Sequence, residues 1–192
     1  ELKDEYDGII VGHGTDTLSS SAAALNLMLK GIDTGVVLVG SQRSSDRPST
    51  DAKMNMLCAT KFLTDTQFTG VAICMHKNSS DNICSIMHGA KTRKMHTSRR
   101  DAFKPVNTEE IGTVNYETGE INYDEEKSKE YEKRTDLNEN IGFLKVRPGM
   151  DLEKLDFMIE QGYDGVVIEG TGLGHMPISS FNEKTEHHDK IT

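Results

Sequence analysis

The sequence has few cysteines, no surplus of basic charge and no long apolar run, and each shortage excludes a class of protein. Its three cysteines, Cys58, Cys74 and Cys84, are odd in number, lack metal-binding spacing and sit among apolar residues. That pattern excludes a disulfide framework and reads as reduced core thiols of a cytosolic protein. The seven histidines are scattered, and His187-His188 has no partner at ligand spacing, so neither a metal nor another cofactor is expected in this chain. Lysine and arginine number 22 against 31 aspartates and glutamates, a formal net charge of −9. Clustered basic groups hold phosphate backbones, so non-specific nucleic-acid binding is disfavoured; a nucleic acid held by a partner subunit is not. No apolar stretch approaches the ~20 residues that cross a bilayer, and the opening ELKDEYDG is charged and carries no secretory pattern.

What is present fits a soluble globular protein: 35% apolar and 28% charged residues in 192, enough for one ordinary domain or slightly more. GIIVG at 8–12 is a short apolar run between glycines and reads as a strand buried on both faces. LSSSAAALNLMLK at 18–30 places Leu18, Ala22, Leu25 and Leu29 at helical spacing, with Thr17 or Ser19 as cap and Gly31 as stop. GVVLV at 35–39 completes a strand-helix-strand unit. After the polar loop GSQRSSDRPST, Thr50 or Asp51 caps a helix reaching residue 63, with Met54, Leu57, Cys58 and Phe62 on one stripe. GVAICM (70–75) and NICSIMH (82–88) are further strands, and VNYETGEINY (114–123) reads as a hairpin.

DEEKSKEYEKRTDLNEN, 124–140, lacks an apolar stripe and reads as an exposed linker. Beyond it, IGFLKV is a strand. Asp151 is expected to cap LEKLDFMIEQ, whose Leu152, Leu155, Met158 and Ile159 face inward before Gly162 stops it, and GVVIEG is a second buried strand. The expectation is an α/β protein. A mainly parallel sheet flanked by helices occupies 1–123, a charged linker 124–140, and the start of a smaller α/β domain 141–192. A strand pattern at the very start and a helix-like pattern at the very end, FNEKTEHHDKIT, suggest a fragment cut at both ends.

Sites in open parallel sheets form where strands end and helices begin. GHGTDT, residues 12–17, lies at such a place. Gly12 and Gly14 allow a sharp turn with exposed N–H groups beside the positive end of the coming helix. Thr15 adds a hydroxyl and Asp16 a carboxylate. The set suits a small zwitterion: N–H donors for an anionic oxygen, a carboxylate for an ammonium, a hydroxyl as nucleophile. The plainer reading, in which Asp16 and Thr17 only cap the helix, stands beside it. His13 reads as a structural histidine. The echoing turn EGTGLGH, 169–175, carries no Thr-Asp pair.

VGHGTDT, VVLVGSQRSSDRPSTDAKMNM and KTRKMHTSRRDAF together resemble the bacterial-type L-asparaginase/glutaminase family, and the resemblance extends through FLKVRPGM and VVIEGTGLGHMP. Within that family the loop RSSDRPSTDA, where ordinary asparaginases tend to carry Ala-Asp-Gly or Ser-Asp-Gly, is similar to the D subunits of archaeal glutamyl-tRNA(Gln) amidotransferases. The resemblance implies that Thr15, Asp16 and Lys94 form a catalytic Thr-Asp-Lys set, with Lys94 as the base for Thr15. Asp16 would also receive the α-ammonium of the substrate, and Gly14 and Ser41 would line the pocket. Without the resemblance, Lys94 reads as a solvated lysine among Lys91, Arg93, Arg99 and Arg100.

The implied function is that of a glutaminase subunit. It releases ammonia from glutamine or asparagine to a kinase/transamidase partner, which binds ATP and Mg²⁺ and through which tRNA is mainly reached. The implied assembly is a homodimer in the cytoplasm, away from membranes, in which the second-domain loop approaches a neighbour's site. The family's first threonine, in a Thr-Gly-Gly-Thr-type motif, is absent from this sequence, so the isolated chain is expected to be inactive. Two other readings are a free-standing L-asparaginase and a non-catalytic α/β module that binds an amino acid.

Overall fold

The computed structural model describes residues 2–124, 130–150 and 152–178. In chain order the first unit contains α1 (Leu2–Glu5), β1 (Gly8–Gly12), α2 (Leu18–Met28), β2 (Leu29–Lys30), β3 (Gly35–Val39), α3 (Ala52–Asp65), β4 (Gly70–His76), β5 (Ile83–His88), β6 (Thr92–Lys94), β7 (Phe103–Pro105), β8 (Gly112–Asn115), β9 (Ile121–Tyr123) and β10 (Glu132–Lys133). The second contains β11 (Ile141–Lys145), α4 (Glu153–Glu160) and β12 (Gly165–Glu169). The division falls between Thr135 and Asp136.

Six strands of the first unit form one sheet in the order β1-β3-β4-β5-β8-β9. β1, β3 and β4 run parallel, as a strand-helix-strand reading requires. β5, β8 and β9 continue the sheet antiparallel. The reversal at β5 follows from chain length, since residues 77–82 are too few for a crossover back to parallel. The expected hairpin is β8–β9, and Asn115 Oδ1 accepts from the N–H groups of Glu117 and Thr118, both at 3.0 Å, to close its turn.

Period-two alternation in β3 and β4 divides the core into two layers. Val37, Val39, Ala72 and Cys74 face α3, where they meet Met54, Cys58, Ala59 and Phe62. Val36, Leu38, Val71, Ile73 and Met75 face α2, where they meet Leu18 and Ala22. The sheet is thus covered on both faces, which explains why these strands read as unbroken apolar runs. β1 departs from the expectation of full burial: it is an edge strand and its residues are half-buried at most. The three cysteines are free and buried.

Several local expectations change. Thr17 precedes α2 without a side-chain capping bond, and Ser19 is buried with no hydrogen-bond partner for its hydroxyl among the described residues. Leu57 is exposed, and Asn55 takes an inward place on α3. Asp51 forms no cap because its carboxylate turns back to the preceding loop; Thr50 Oγ1 accepts from Ala52 N–H at 3.2 Å instead. The segment read as an exposed linker is exposed apart from Tyr131 among its described residues, but it also contributes a short strand. β10 pairs with β2, Arg134 N–H donates to Met28 O at 2.7 Å, and Tyr131 packs on the α2-side core. The apolar contact of Tyr131 and the open hydrogen-bonding edge at Leu29–Lys30 outweigh the high local charge. Gly31 and Gly162 adopt φ of 72° and 70° where the two helix stops are expected.

In the second unit β11 and β12 pair in parallel. Leu144, Val146, Met150 and Leu152 form a small core with Leu155, Val166 and Met176. Ile159, Val167 and Ile168 are exposed, so β12 is not the buried strand that its sequence suggests. Phe143 is exposed while its neighbour Leu144 is buried, the alternation of a sheet with one covered face. The expected cap Asp151 and the tail from 179 onward lie outside the described residues.

Phe62 is fully buried between the rings of Phe68 and Tyr123, at 5.2 and 5.1 Å. Phe62→Ala is expected to cost about 3–5 kcal/mol in equilibrium unfolding by urea. A loss below about 1 kcal/mol would contradict this account of the α3-side core.

Candidate active site

The turn after β1 is built against the end of β3. His13 N–H donates to Val39 O at 2.9 Å, carrying the pairing one residue beyond the strand. His13 Nδ1 lies 2.7 Å from Gly14 O, so the ring serves the turn itself. Gly40 follows β3, and a Cβ there would stand 2.9 Å from Thr15 Cγ2 and 3.1 Å from His13 O. Only glycine allows this approach, which sets Thr15 at the mouth of the parallel strands. Asp16 follows, with 94% of its side chain exposed.

Lys94 arrives from far along the chain. It ends β6 and pairs across the ladder with Phe103 of β7. Met95 N–H donates to Ala102 O at 2.7 Å, which closes the hairpin. Ala102 and Phe103 are buried in the same cluster as Leu18 and Ala22, so apolar packing holds the hairpin against α2. Lys94 Nζ thereby reaches the α2 entry turn, 2.9 Å from Thr15 Oγ1 and 2.6 Å from Asp16 Oδ1. Its side chain is only 14% exposed. The hydrogen bond and charge of Lys94 hold the Asp16 carboxyl below the usual aspartate range.

The structure thus brings Thr15, Asp16 and Lys94 to one point. It departs from both plainer readings: Lys94 is not a solvated lysine, and the Asp16 carboxylate bonds Lys94. A nitrogen between a hydroxyl and a carboxylate can move a proton to or from the hydroxyl while the carboxylate orients it. Gly14 sits in the same turn. Ser41 lies in the adjoining loop, where its hydroxyl bonds Asp51 Oδ1 at 2.9 Å and Thr50 Oγ1 at 3.1 Å. Burial works to raise the Asp51 carboxyl. The N–H groups of Arg43 and Gln42 and the Ser41 hydroxyl outweigh it, leaving the group below its usual range.

Supporting residues that the sequence reading passed over are Gly40, Asn55, His76, Asp81 and Arg100. Asp51 and Asn55, one helical turn apart on a buried face, were a usable signal: an acid and an amide where an apolar stripe belongs. His76 closing the apolar run GVAICMH was another.

The second glycine turn closes on itself. Thr171 and His175 exchange two backbone hydrogen bonds of 2.8 and 2.7 Å, and a Cβ on Gly170 would lie 2.6 Å from the Gly174 backbone. Its glycines serve that tight ring. Among the described residues no group of three His, Cys, Asp or Glu could hold a metal ion, and no helix is long and apolar enough to cross a membrane.

Because the folded Asp16 pKa is depressed, its contact with Lys94 is complete above the ordinary aspartate range and is lost as pH falls through the lower folded value. An NMR titration of the Asp16 carboxyl is expected to give a midpoint below 3.8, and Lys94→Met to move it upward. An unchanged midpoint in Lys94→Met would show that Lys94 does not hold the carboxylate.

Comparison with known proteins places this geometry. The profile of the asparaginase N-terminal domain matches residues 1–129. The D subunit of the Methanococcus maripaludis glutamyl-tRNA(Gln) amidotransferase is 44% identical over 188 residues, 94% of this chain and 44% of that protein. The protein of the same name from Thermococcus kodakarensis is 47% identical over 181 residues, 92% of this chain and 41% of that protein. The chain therefore spans less than half the length of these curated relatives. Among solved structures, the thermostable L-asparaginase from Thermococcus kodakarensis superposes with a TM-score of 0.80 at 29% identity, over 98% of this chain and 56% of that one. Profile, relatives and fold agree, and the chain belongs to the asparaginase family.

Proposed function

We propose that this chain is the amide-hydrolysing part of the D subunit of a glutamyl-tRNA(Gln) amidotransferase. In this reading it releases ammonia from the side chain of glutamine, or of asparagine, for conversion of Glu-tRNA(Gln) to Gln-tRNA(Gln). The observation that carries it is the Lys94 nitrogen held between Thr15 Oγ1 and Asp16 Oδ1, in a chain whose relatives bear that name. In the state described, Nζ donates to both oxygens. As the free amine it takes the Thr15 hydroxyl proton, and the exposed oxygen becomes a nucleophile for the amide carbonyl or a base for the water that frees the acyl group. The Lys94 ammonium returns its proton to the departing nitrogen, which leaves as ammonia. Backbone N–H of Thr15 or Asp16 supplies the oxyanion donor, and Asp16 receives the substrate α-ammonium. Gly14 and Ser41 line the pocket.

The resemblance assigns the acyl group to a threonine in a Thr-Gly-Gly-Thr-type motif, which this sequence does not contain. Thr15, Asp16 and Lys94 are then the proton-moving half of the site. The rest of the reading is a cytoplasmic homodimer that meets a kinase/transamidase subunit. That partner carries ATP and Mg²⁺ and most of the tRNA contact, while this chain needs no cofactor. The second-domain turn 169–175 serves as a lid or contact toward the neighbouring protomer.

The fold likeness to an L-asparaginase favours a second reading, a free-standing asparaginase with the same chemistry. A third, a non-catalytic amino-acid-binding module, leaves the placing of the Lys94 nitrogen against the Thr15 hydroxyl without a purpose. The full gene product, assayed on glutamine and asparagine with and without the partner subunit and misacylated tRNA, separates them. Glutamine turnover that rises on adding partner and tRNA is expected. Strong tRNA-independent asparagine hydrolysis would overturn the amidotransferase assignment.

A further inference from the structure

Two loops flank the Lys94 site, 40–51 after β3 and 95–102 between β6 and β7, and one side chain joins them. Arg100 donates from one guanidinium nitrogen to Ser49 O in the first loop, and from the other to Asp81 Oδ1 in the β4–β5 turn. Gln42 Nε2 adds a second tie, to Arg99 O at 2.7 Å. Asp81 Oδ1 also meets His76 Nε2 at 3.1 Å, and His76 Nδ1 lies 2.7 Å from Asn55 Oδ1.

The direction of these bonds is fixed by the acceptors around them. Asn55 Nδ2 contacts Gly40 O at 3.0 Å and Asp51 Oδ2 at 3.1 Å, and both of those can only accept. Asn55 Oδ1 therefore faces the imidazole, whose Nδ1 must donate. The Asp81 carboxylate lies on the other side of the ring, within hydrogen-bond distance of Nε2. His76, with Arg100, holds the Asp81 carboxyl below its usual range. The path runs from Arg100 in the Lys94 hairpin through Asp81, His76 and Asn55 to the Gly40 carbonyl, and Gly40 is the residue against which Thr15 packs.

Lys94 itself has weak direct anchors: a three-residue strand and an exposed Asp16 carboxylate. We propose that Arg100, together with Asp81, is a positioning residue for Lys94: it staples the Lys94 hairpin to the loop that begins at Gly40, against which Thr15 packs, and to the β4–β5 turn, and so sets the distance from Nζ to Thr15 Oγ1. The proposal rests on the amidohydrolase reading above. A guanidinium fork meets two acceptors in two directions at once, which a lysine ammonium cannot reproduce at this spacing.

The test uses the full gene product with its partner subunit. Arg100→Ala and Asp81→Asn are each expected to lower kcat for glutamine by about tenfold to a hundredfold with KM little changed, because a displacement of about 1 Å disrupts the proton transfer. The double variant should be no worse than the worse single one, since both break the same tie. Arg100→Lys keeps the charge and stem and should show the same kcat loss at an unchanged thermal midpoint, which covers the case of a poorly folding alanine variant. Wild-type kcat in folded Arg100→Lys or Arg100→Ala, losses that multiply between Arg100 and Asp81, or a loss confined to KM would overturn it. Thr15→Val at the wild-type rate would instead sink the underlying reading, and this proposal with it.

Discussion

A lysine nitrogen held between a hydroxyl and a carboxylate is the contact on which the account depends. The carboxylate and hydroxyl are neighbours in one turn, but the lysine lies 79 residues beyond the hydroxyl. Nothing local can bring them together. The sheet does so: the parallel order of β1 and β3 fixes the turn, Gly40 admits Thr15, and the buried Ala102 and Phe103 fasten the returning hairpin to α2. Apolar burial thus supplies the precision of a polar site.

The polar side of the same problem is solved inside the protein. Asp51, Asn55 and His76 are fully buried, where an unpaired polar group is costly. Each is bonded to others of the set, and the set ends on backbone and side-chain atoms of the loops around the site. Such a network tolerates few alternative arrangements, which suits a scaffold that must hold two distant segments in register.

Much of this was legible in the sequence where local physics decides. The unbroken apolar runs of GIIVG and GVVLV announced parallel strands, and Thr15 with Asp16 stood at a strand-to-helix turn. Lys94 was different: only the family resemblance of KTRKMHTSRRDAF singled it out, because its place beside Thr15 comes from Ala102 and Phe103 packing with a distant helix. In the segment 124–140 the described residues are exposed apart from Tyr131, as its charge suggests; what composition did not show is that Glu132 and Lys133 pair with the open edge of β2. Val167 and Ile168 misled in the opposite sense: an apolar run marks a strand, but whether both faces are covered depends on what packs there. Leu57 left its expected inward place and Asn55 lies inward, because the helical stripe is chosen by what the loop at Asp51 needs as well as by hydrophobicity.

The central claim is that Lys94 moves the proton of Thr15. The most direct measurement compares Lys94→Ala with the unaltered full gene product, following glutamine turnover and, by calorimetry, glutamine binding. The account predicts turnover lower by about 10²–10⁴-fold, the range for a positioned acid-base group, with binding retained. Turnover close to the unaltered rate would make Lys94 a bystander and contradict the account.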